Sequence, residues 1–365
     1  MAIIFNDTRT VTQQTREYSF GCDGKGARVE VSVRPTTSGA YKILLEGVFA
    51  AVLGKVTLYG LGELVEHSLE EHLRLTIQIR AWEHDAEGNE SLDQRIELGG
   101  IYCKARVPIG FSYDWPLTMR GNVRITCEGA REELYLWDAF AMKCKVIAEY
   151  YGGSKLERVV TEVTPRLTLD EGAGEHDIKT GVPGLYKLDV SPYLYSDSSL
   201  GRLLCLTLVL EKDGEQRVVR YTIRPGDARS SFIFRNSFGV PEYLYCYGPT
   251  SEKYTYERGS ALLNGIHKSY GIKETKNMTA HTGVMTEDTA DWVPELLRSE
   301  MVFAKQGSLI VPVVVTECKA ERDGLDHELV QYTFDYKYAE EGTVFFTEEE
   351  AKARIFDDTF DNTYG

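Results

Sequence analysis

The chain has 365 residues, with 41 Lys and Arg against 56 Asp and Glu, which gives a formal net charge of −15. That balance excludes a chain-wide nucleic-acid interface, because phosphate neutralisation needs clustered cations. A content of 42% hydrophobic and 27% charged residues excludes a disordered chain, and 22 Tyr with only 11 Pro favour strands.

Residues 1–7 lack the basic region and apolar core of an export signal. The longest apolar run, residues 309–315, is far short of the roughly 20 residues that cross a bilayer. The seven cysteines (Cys22, Cys103, Cys127, Cys144, Cys205, Cys246 and Cys318) show no Cys-x-x-Cys spacing. They are expected to be reduced and mostly buried, in a chain made in a reducing cytoplasm.

In chain order, residues 28–34 alternate Val with polar groups, the period-two pattern of a half-buried strand. Residues 56–59 read as a further strand. Leu61, Val65, Leu69 and Leu73 recur at i, i+4 and predict one amphipathic helix. Residues 75–82 and 95–98 flank a Gly-Asn turn and predict a hairpin. Seven short strands are expected between 122 and 223, with turn chemistry at 151–154 and 211–215 and a loop at 170–175. Beyond them come strands at 232–235, 243–247, 309–315 and 329–338. A polar stretch covers 251–285, and a short helix 286–297, capped by Thr286 and interrupted by Pro294. A capping box at 347–350 predicts a terminal helix before an acidic tail.

Signals for chemistry are weak. The Gly-rich residues 21–26 lack the flanking Gly and Ser/Thr of a phosphate loop and read as a turn. His67 and His72 stand five apart, about 140° around a helix, which does not suit a zinc pair. Residues 85–91 are rich in oxygen ligands but lack the Gly and the terminal acid of a calcium loop. No Gly-x-Ser-x-Gly elbow occurs. Tyr151, Tyr193, Tyr195, Tyr243, Tyr245, Tyr247, Tyr254 and Tyr256 fit sheet packing better than a sugar platform.

Two segments carry a resemblance. One is residues 232–242, Phe-Ile-Phe-Arg-Asn-Ser-Phe-Gly-Val-Pro-Glu, followed by Tyr247-Gly248. The other is residues 291–302, with Trp292-x-x-x-Leu296-Leu297-x-Ser299, followed by the Pro-Val strand at 312–315. Together they resemble the carboxy-terminal module of structural proteins in tailed bacteriophages and prophages of Bacteroidetes. Residues 58–66 and 184–192 resemble the amino-terminal sandwich units of that group.

The expected fold is therefore mainly β, with two or more β-sandwich-like domains and a C-terminal β-rich module with short helices. The expected domains are 1–110 (a sandwich with one helix), 111–230 (a second sandwich) and 231–365. The resemblance implies a non-enzymatic virion component of the tail or its distal end, assembling with other virion proteins and with itself. It implies no cofactor, metal, nucleic acid or membrane span. Residues expected to shape the junction are Phe234, Arg235, Asn236, Phe238, Gly239, Glu242, Trp292, Leu296 and Leu297. A carbohydrate-binding, adhesin-like module with a surface glycan is the alternative, and an enzyme using two carboxylates is the third reading.

Overall fold

The structure, a computed structural model, describes residues 3–4, 10–35, 39–84, 94–105, 112, 115–137, 142–152, 157–163, 167–169, 185–307, 309–319 and 330–339. The expected turn at 85–91, the loop at 170–175 and the terminal helix at 347–350 lie outside these residues. Contacts divide the chain into two compact units. The first comprises Met1–Ser112, Ser237–Val240 and Phe356–Gly365, and the second Tyr113–Asn236 and Pro241–Ile355.

In the first unit the strands are β1 (Ile3–Ile4), β2 (Glu17–Cys22), β3 (Gly26–Pro35), β4 (Lys42–Ala50), β5 (Lys55–Tyr59), β6 (Arg74–His84) and β7 (Gln94–Ile101), with helix α1 (Leu61–His72) between β5 and β6. They form a three-stranded sheet, β1-β2-β5, and a four-stranded sheet, β4-β3-β6-β7. The Val residues of β3 point inward as their alternation demands, with Val29 and Val31 fully buried. Leu61, Val65 and Leu69 of α1 are buried. The helix ends where Leu73 takes a left-handed conformation (φ 53°) while its N–H caps Leu69 O.

In the second unit the strands are β8 (Val123–Cys127), β9 (Glu133–Trp137), β10 (Lys143–Gly152), β11 (Glu157–Val163), β12 (Leu167–Leu169), β13 (Leu185–Asp189), β14 (Arg202–Lys212) and β15 (Glu215–Arg224), followed by β16 (Ser230–Arg235), β17 (Pro241–Cys246), β18 (Thr250–Leu263), β19 (Ile266–His281), β20 (Val302–Gln306), β21 (Leu309–Lys319) and β22 (Thr333–Tyr338). A five-stranded sheet, β11-β10-β14-β15-β8, faces a three-stranded one, β12-β13-β9. Leu134, Leu136, Tyr186 and Leu188 from the smaller sheet share one core with Val146, Leu206, Leu208 and Tyr221 from the larger. This is a sandwich core.

The seven-stranded sheet runs β17-β16-β20-β21-β22-β19-β18. One face of it buries Phe232, Phe234, Leu244, Met278 and Phe334 together with Trp292, Val293 and Leu296. The last three come from the segment expected as a single helix. It forms two, α2 (Glu287–Trp292) and α3 (Pro294–Arg298). Pro294 occupies the first turn of α3, where its missing N–H costs nothing, and cannot sit inside one continuous helix. None of the cysteines forms a disulfide, and Cys22, Cys103, Cys127, Cys205 and Cys246 are buried. No helix among the described residues is long and apolar enough to cross a membrane.

Leu206 lies fully buried in the central strand β14, whereas Val218 on β15 is 43% exposed. In urea denaturation Leu206→Ala lowers stability by about 2–5 kcal/mol, and Val218→Ala stays within about 0.5 kcal/mol of the parent.

Candidate functional site

The second unit contains a buried polar lattice and an exposed β-ribbon that springs from beside it. The lattice begins on β8, whose alternation is inverted: Val123 is exposed while Arg124 and Thr126 are buried. Arg124 is held by main-chain carbonyls at Gly121 (2.9 Å) and Arg120 (3.2 Å) and donates to the Tyr221 hydroxyl at 3.1 Å. Arg120 pairs with Glu132 at 2.9 Å, donates to Ile125 O at 3.2 Å and lies 4.8 Å over the Trp292 ring. Glu132 is in turn fixed by main-chain bonds, its N–H to Ser191 Oγ and its carbonyl to the Val190 N–H.

Glu242 of β17 completes the lattice. It accepts the Trp292 indole N–H at 2.6 Å and the Thr118 hydroxyl. Burial pushes its carboxyl above the ordinary value, against the pull of these two donors and of Arg124 and Arg120. Unpaired burial of such groups costs several kcal/mol each, so each charge here demands its partner. The adjoining cavity, lined in part by Arg120, Tyr247 and Trp292, measures about 20 Å³, room for about one water. Among the described residues no group of three or more His, Cys, Asp or Glu side chains is placed to hold a metal ion.

The nine residues singled out in the sequence are distributed as follows. Phe234 packs its ring 5.5 Å from that of Trp292, and Leu296 is buried in the same core. Leu297 is half-buried against that core. Asn236 is buried and donates from Nδ2 to Leu117 O at 2.8 Å, and the Arg235 N–H donates to Met301 O. Glu242 and Trp292 are bonded to each other. Phe238 and Gly239 belong to the first unit. There Gly239 has φ 81°, a left-handed conformation in which any other side chain is strained, and a Cβ would also press on Leu73 Cδ2 at 2.5 Å.

The ribbon is the feature that sequence reading missed. Strand β18 pairs with β19 from Thr250↔Ala280 to Leu263↔Ile266, closing on Asn264-Gly265 with φ 51° and 76°. Two successive positive φ values make the tight hairpin turn for which Asn-Gly is the favoured pair. Yet β19 pairs with β22 only from Asn277 to His281. Beyond Asn277 the two strands leave the sheet as an arm.

Register fixes the arm's faces. Glu252 opposes Met278, which is buried in the sheet's core, so the same face continues outward through Tyr254, Tyr256 and Leu262 of β18. These side chains are 47%, 47% and 62% exposed, and Ile272 on β19 is 58% exposed. Lys276 covers part of this face, within 5.4 Å of the Tyr254 ring, and pairs with Glu252 at 2.8 Å. Those two contacts raise the Lys276 pKa, Glu252 foremost. On the opposite face Tyr270 and Ile266 are likewise open to solvent. The arm carries Lys253, Arg258, Lys268, Lys273 and Lys276 against Glu252, Glu257 and Glu274, a cationic segment in an anionic chain.

The arm's root is held firmly. Gly248 and Tyr247 donate to the carbonyls of His281 and Thr282, each at 3.0 Å, and Thr279 donates to Asp335 at 2.6 Å. The Thr282 hydroxyl accepts the Tyr332 N–H at 2.9 Å.

No family model and no curated protein matches this chain. Among solved structures, a chain of the virion of a native gene transfer agent particle is similar over 32% of this chain and 95% of its own, at 10% identity and a TM-score of 0.23. A chicken T-cell receptor is similar over 63% of this chain and 89% of its own, at 5% identity and a TM-score of 0.15.

Arg120→Met leaves Glu132 buried without its cation and lowers stability by about 3–5 kcal/mol in chemical denaturation, whereas Lys143→Met, which removes an exposed pair with Glu211, costs about 0–1 kcal/mol. The raised Glu242 pKa stabilises the fold fully below the unfolded value near 4.5, and that contribution is lost as pH climbs through the folded value. Glu242→Gln removes this dependence. Across a pH series of urea melts the variant therefore gains on the parent as pH rises from about 4 to about 8.

Proposed function

We propose that this protein is a non-enzymatic structural component of a tailed phage or prophage particle, in the tail or its distal end, that acts by assembling β-domains with copies of itself and with other virion proteins. It is made in the bacterial cytoplasm and carried in the virion. The observation that supports this reading is the arm of β18 and β19, which prolongs the core face of a seven-stranded sheet into solvent. A two-stranded ribbon is marginal alone, and its unpaired edges template further pairing. Apolar side chains that continue a core have their natural place under a partner's surface. The resemblance of residues 232–242 and 291–302 to phage structural modules supplies the particle. The work required of such a part is geometric fit, for which a firmly rooted arm is suited.

Tyr254 and Tyr256 stand side by side on one exposed face, which favours a glycan-binding platform as the second reading. A glycan array with the isolated chain, run with and without calcium, separates the two: reproducible sugar binding lost in Tyr254→Ala/Tyr256→Ala supports the platform.

For the assembly reading, light scattering of the full chain at rising concentration, or with its virion partners, gives particles larger than the 41.2 kDa protomer. Replacing residues 254–276 by Asn-Gly rejoins the paired Lys253 and Asn277 through a short turn. That variant keeps its fold and stays a protomer. A full chain that is strictly monomeric and absent from virions by mass spectrometry contradicts the proposal.

A further inference from the structure

Apart from the arm, the second unit carries an open cleft of about 440 Å³, within the range of ligand sites. One wall is Cys127 at the end of β8 and Gly129 just after it. A second is the linker from Asp227 to Ser231 that leads from β15 into β16, and the rest is formed by Tyr245 on β17 and by Lys305 and Gly307 at the end of β20.

These walls are tied to one another. The Tyr245 hydroxyl donates to Arg131 O at 2.6 Å and accepts the Arg131 N–H at 2.7 Å, which pins the turn after β8 to β17. The Arg229 N–H donates to Cys246 O at 3.0 Å. Glu128 accepts the Gly226 N–H at 3.2 Å and Arg202 Nε at 3.1 Å, clamping the linker. A cleft held this way does not have to be ordered by its ligand, which favours binding.

Two cations line it. Arg229 and Lys305 are both exposed, and among the described residues neither side chain has an ion-pair or hydrogen-bond partner, although the chain carries 56 Asp and Glu. Ser230, Ser231 and Tyr245 line the cleft with the two cations, and Asp227 stands against Gly129.

We propose that this cleft is a docking site for an acidic, extended polypeptide segment. Arg229 takes a carboxylate through its planar fork and Lys305 a second one as a point charge. Asp227 accepts main-chain N–H groups of the same segment. A bare anion would leave Asp227 facing like charge, whereas a peptide supplies donors for it. The site is independent of the arm, so the two proposals stand or fall separately.

The test is fluorescence anisotropy with a labelled Glu-rich hexapeptide at low salt, using the full chain, with the Gln analogue and inorganic phosphate as competitors. The Glu peptide binds, and neither competitor displaces it at equal concentration. Arg229→Ala/Lys305→Ala weakens binding by at least about tenfold, with an unchanged thermal melt and unchanged particle size. The chain with residues 254–276 replaced binds as the parent does. Failure of the parent to bind the Glu peptide, equal binding by the double variant, or displacement by phosphate alone overturns the proposal.

Discussion

The mismatch in length between two neighbouring strands governs this molecule's functional reading. Strand β19 runs from Ile266 to His281, but its neighbour β22 accompanies it only from Asn277 to His281. A ladder can bury a strand only where it has both a neighbour and a covered face. Outward of Lys276, among the described residues, β19 pairs with β18 alone, and the side chains that would extend the core become exposed. The arm is therefore a consequence of register, stabilised locally by its Asn-Gly turn and by cross-strand pairs worth about 0.2–1 kcal/mol each.

A projecting ribbon can transmit position only if its base does not yield. Here the base is packed by Phe232, whose ring meets those of Phe334 and Tyr336 edge to face at 5.1 Å, and by main-chain bonds from Gly248 to His281 and from Tyr247 to Thr282. Behind them the lattice of Arg120, Glu132, Glu242 and Trp292 couples the sandwich strands to the seven-stranded sheet. Such buried charges add little net stability against well-packed apolar groups, but removing one partner is costly. The lattice thus fixes one arrangement of sandwich against sheet within the second unit.

Much of the fold was legible from period and punctuation. Leu61, Val65 and Leu69 mark the buried stripe of α1, and the Val residues of β3 mark its inward face. The hairpin of β6 and β7 pairs as its alternation implied. The lattice was legible only in part: Glu242 and Trp292 stood among the residues singled out by the resemblance, whereas Arg120, Arg124 and Glu132 carry no local signal in an acidic chain. The one local hint was β8 itself, where the apolar residues occupy the outward positions and Arg124 the inward one. Only tertiary partners decide such a reversal.

The arm left a stronger trace that polarity masked. Residues 254–256 and 266–270 alternate around Asn264-Gly265, a hairpin signature, yet the density of Lys, Glu and Thr favoured reading 251–285 as merely polar. The apolar residues of the arm are spaced out among charged and polar ones, so turn chemistry was the surviving signal. Likewise Pro294 interrupted the expected helix, and the structure resolves it into α2 and α3, keeping Trp292, Val293 and Leu296 on the core.

Amide hydrogen exchange across residues 250–281 tests the central claim most directly, comparing dilute chain with the concentrated or virion-assembled form. The account predicts fast exchange at the arm's open edges when dilute and marked slowing on assembly, with the root protected in both. Equal exchange along the arm in a demonstrably assembled particle would mean that no partner lies over it, and would contradict the account.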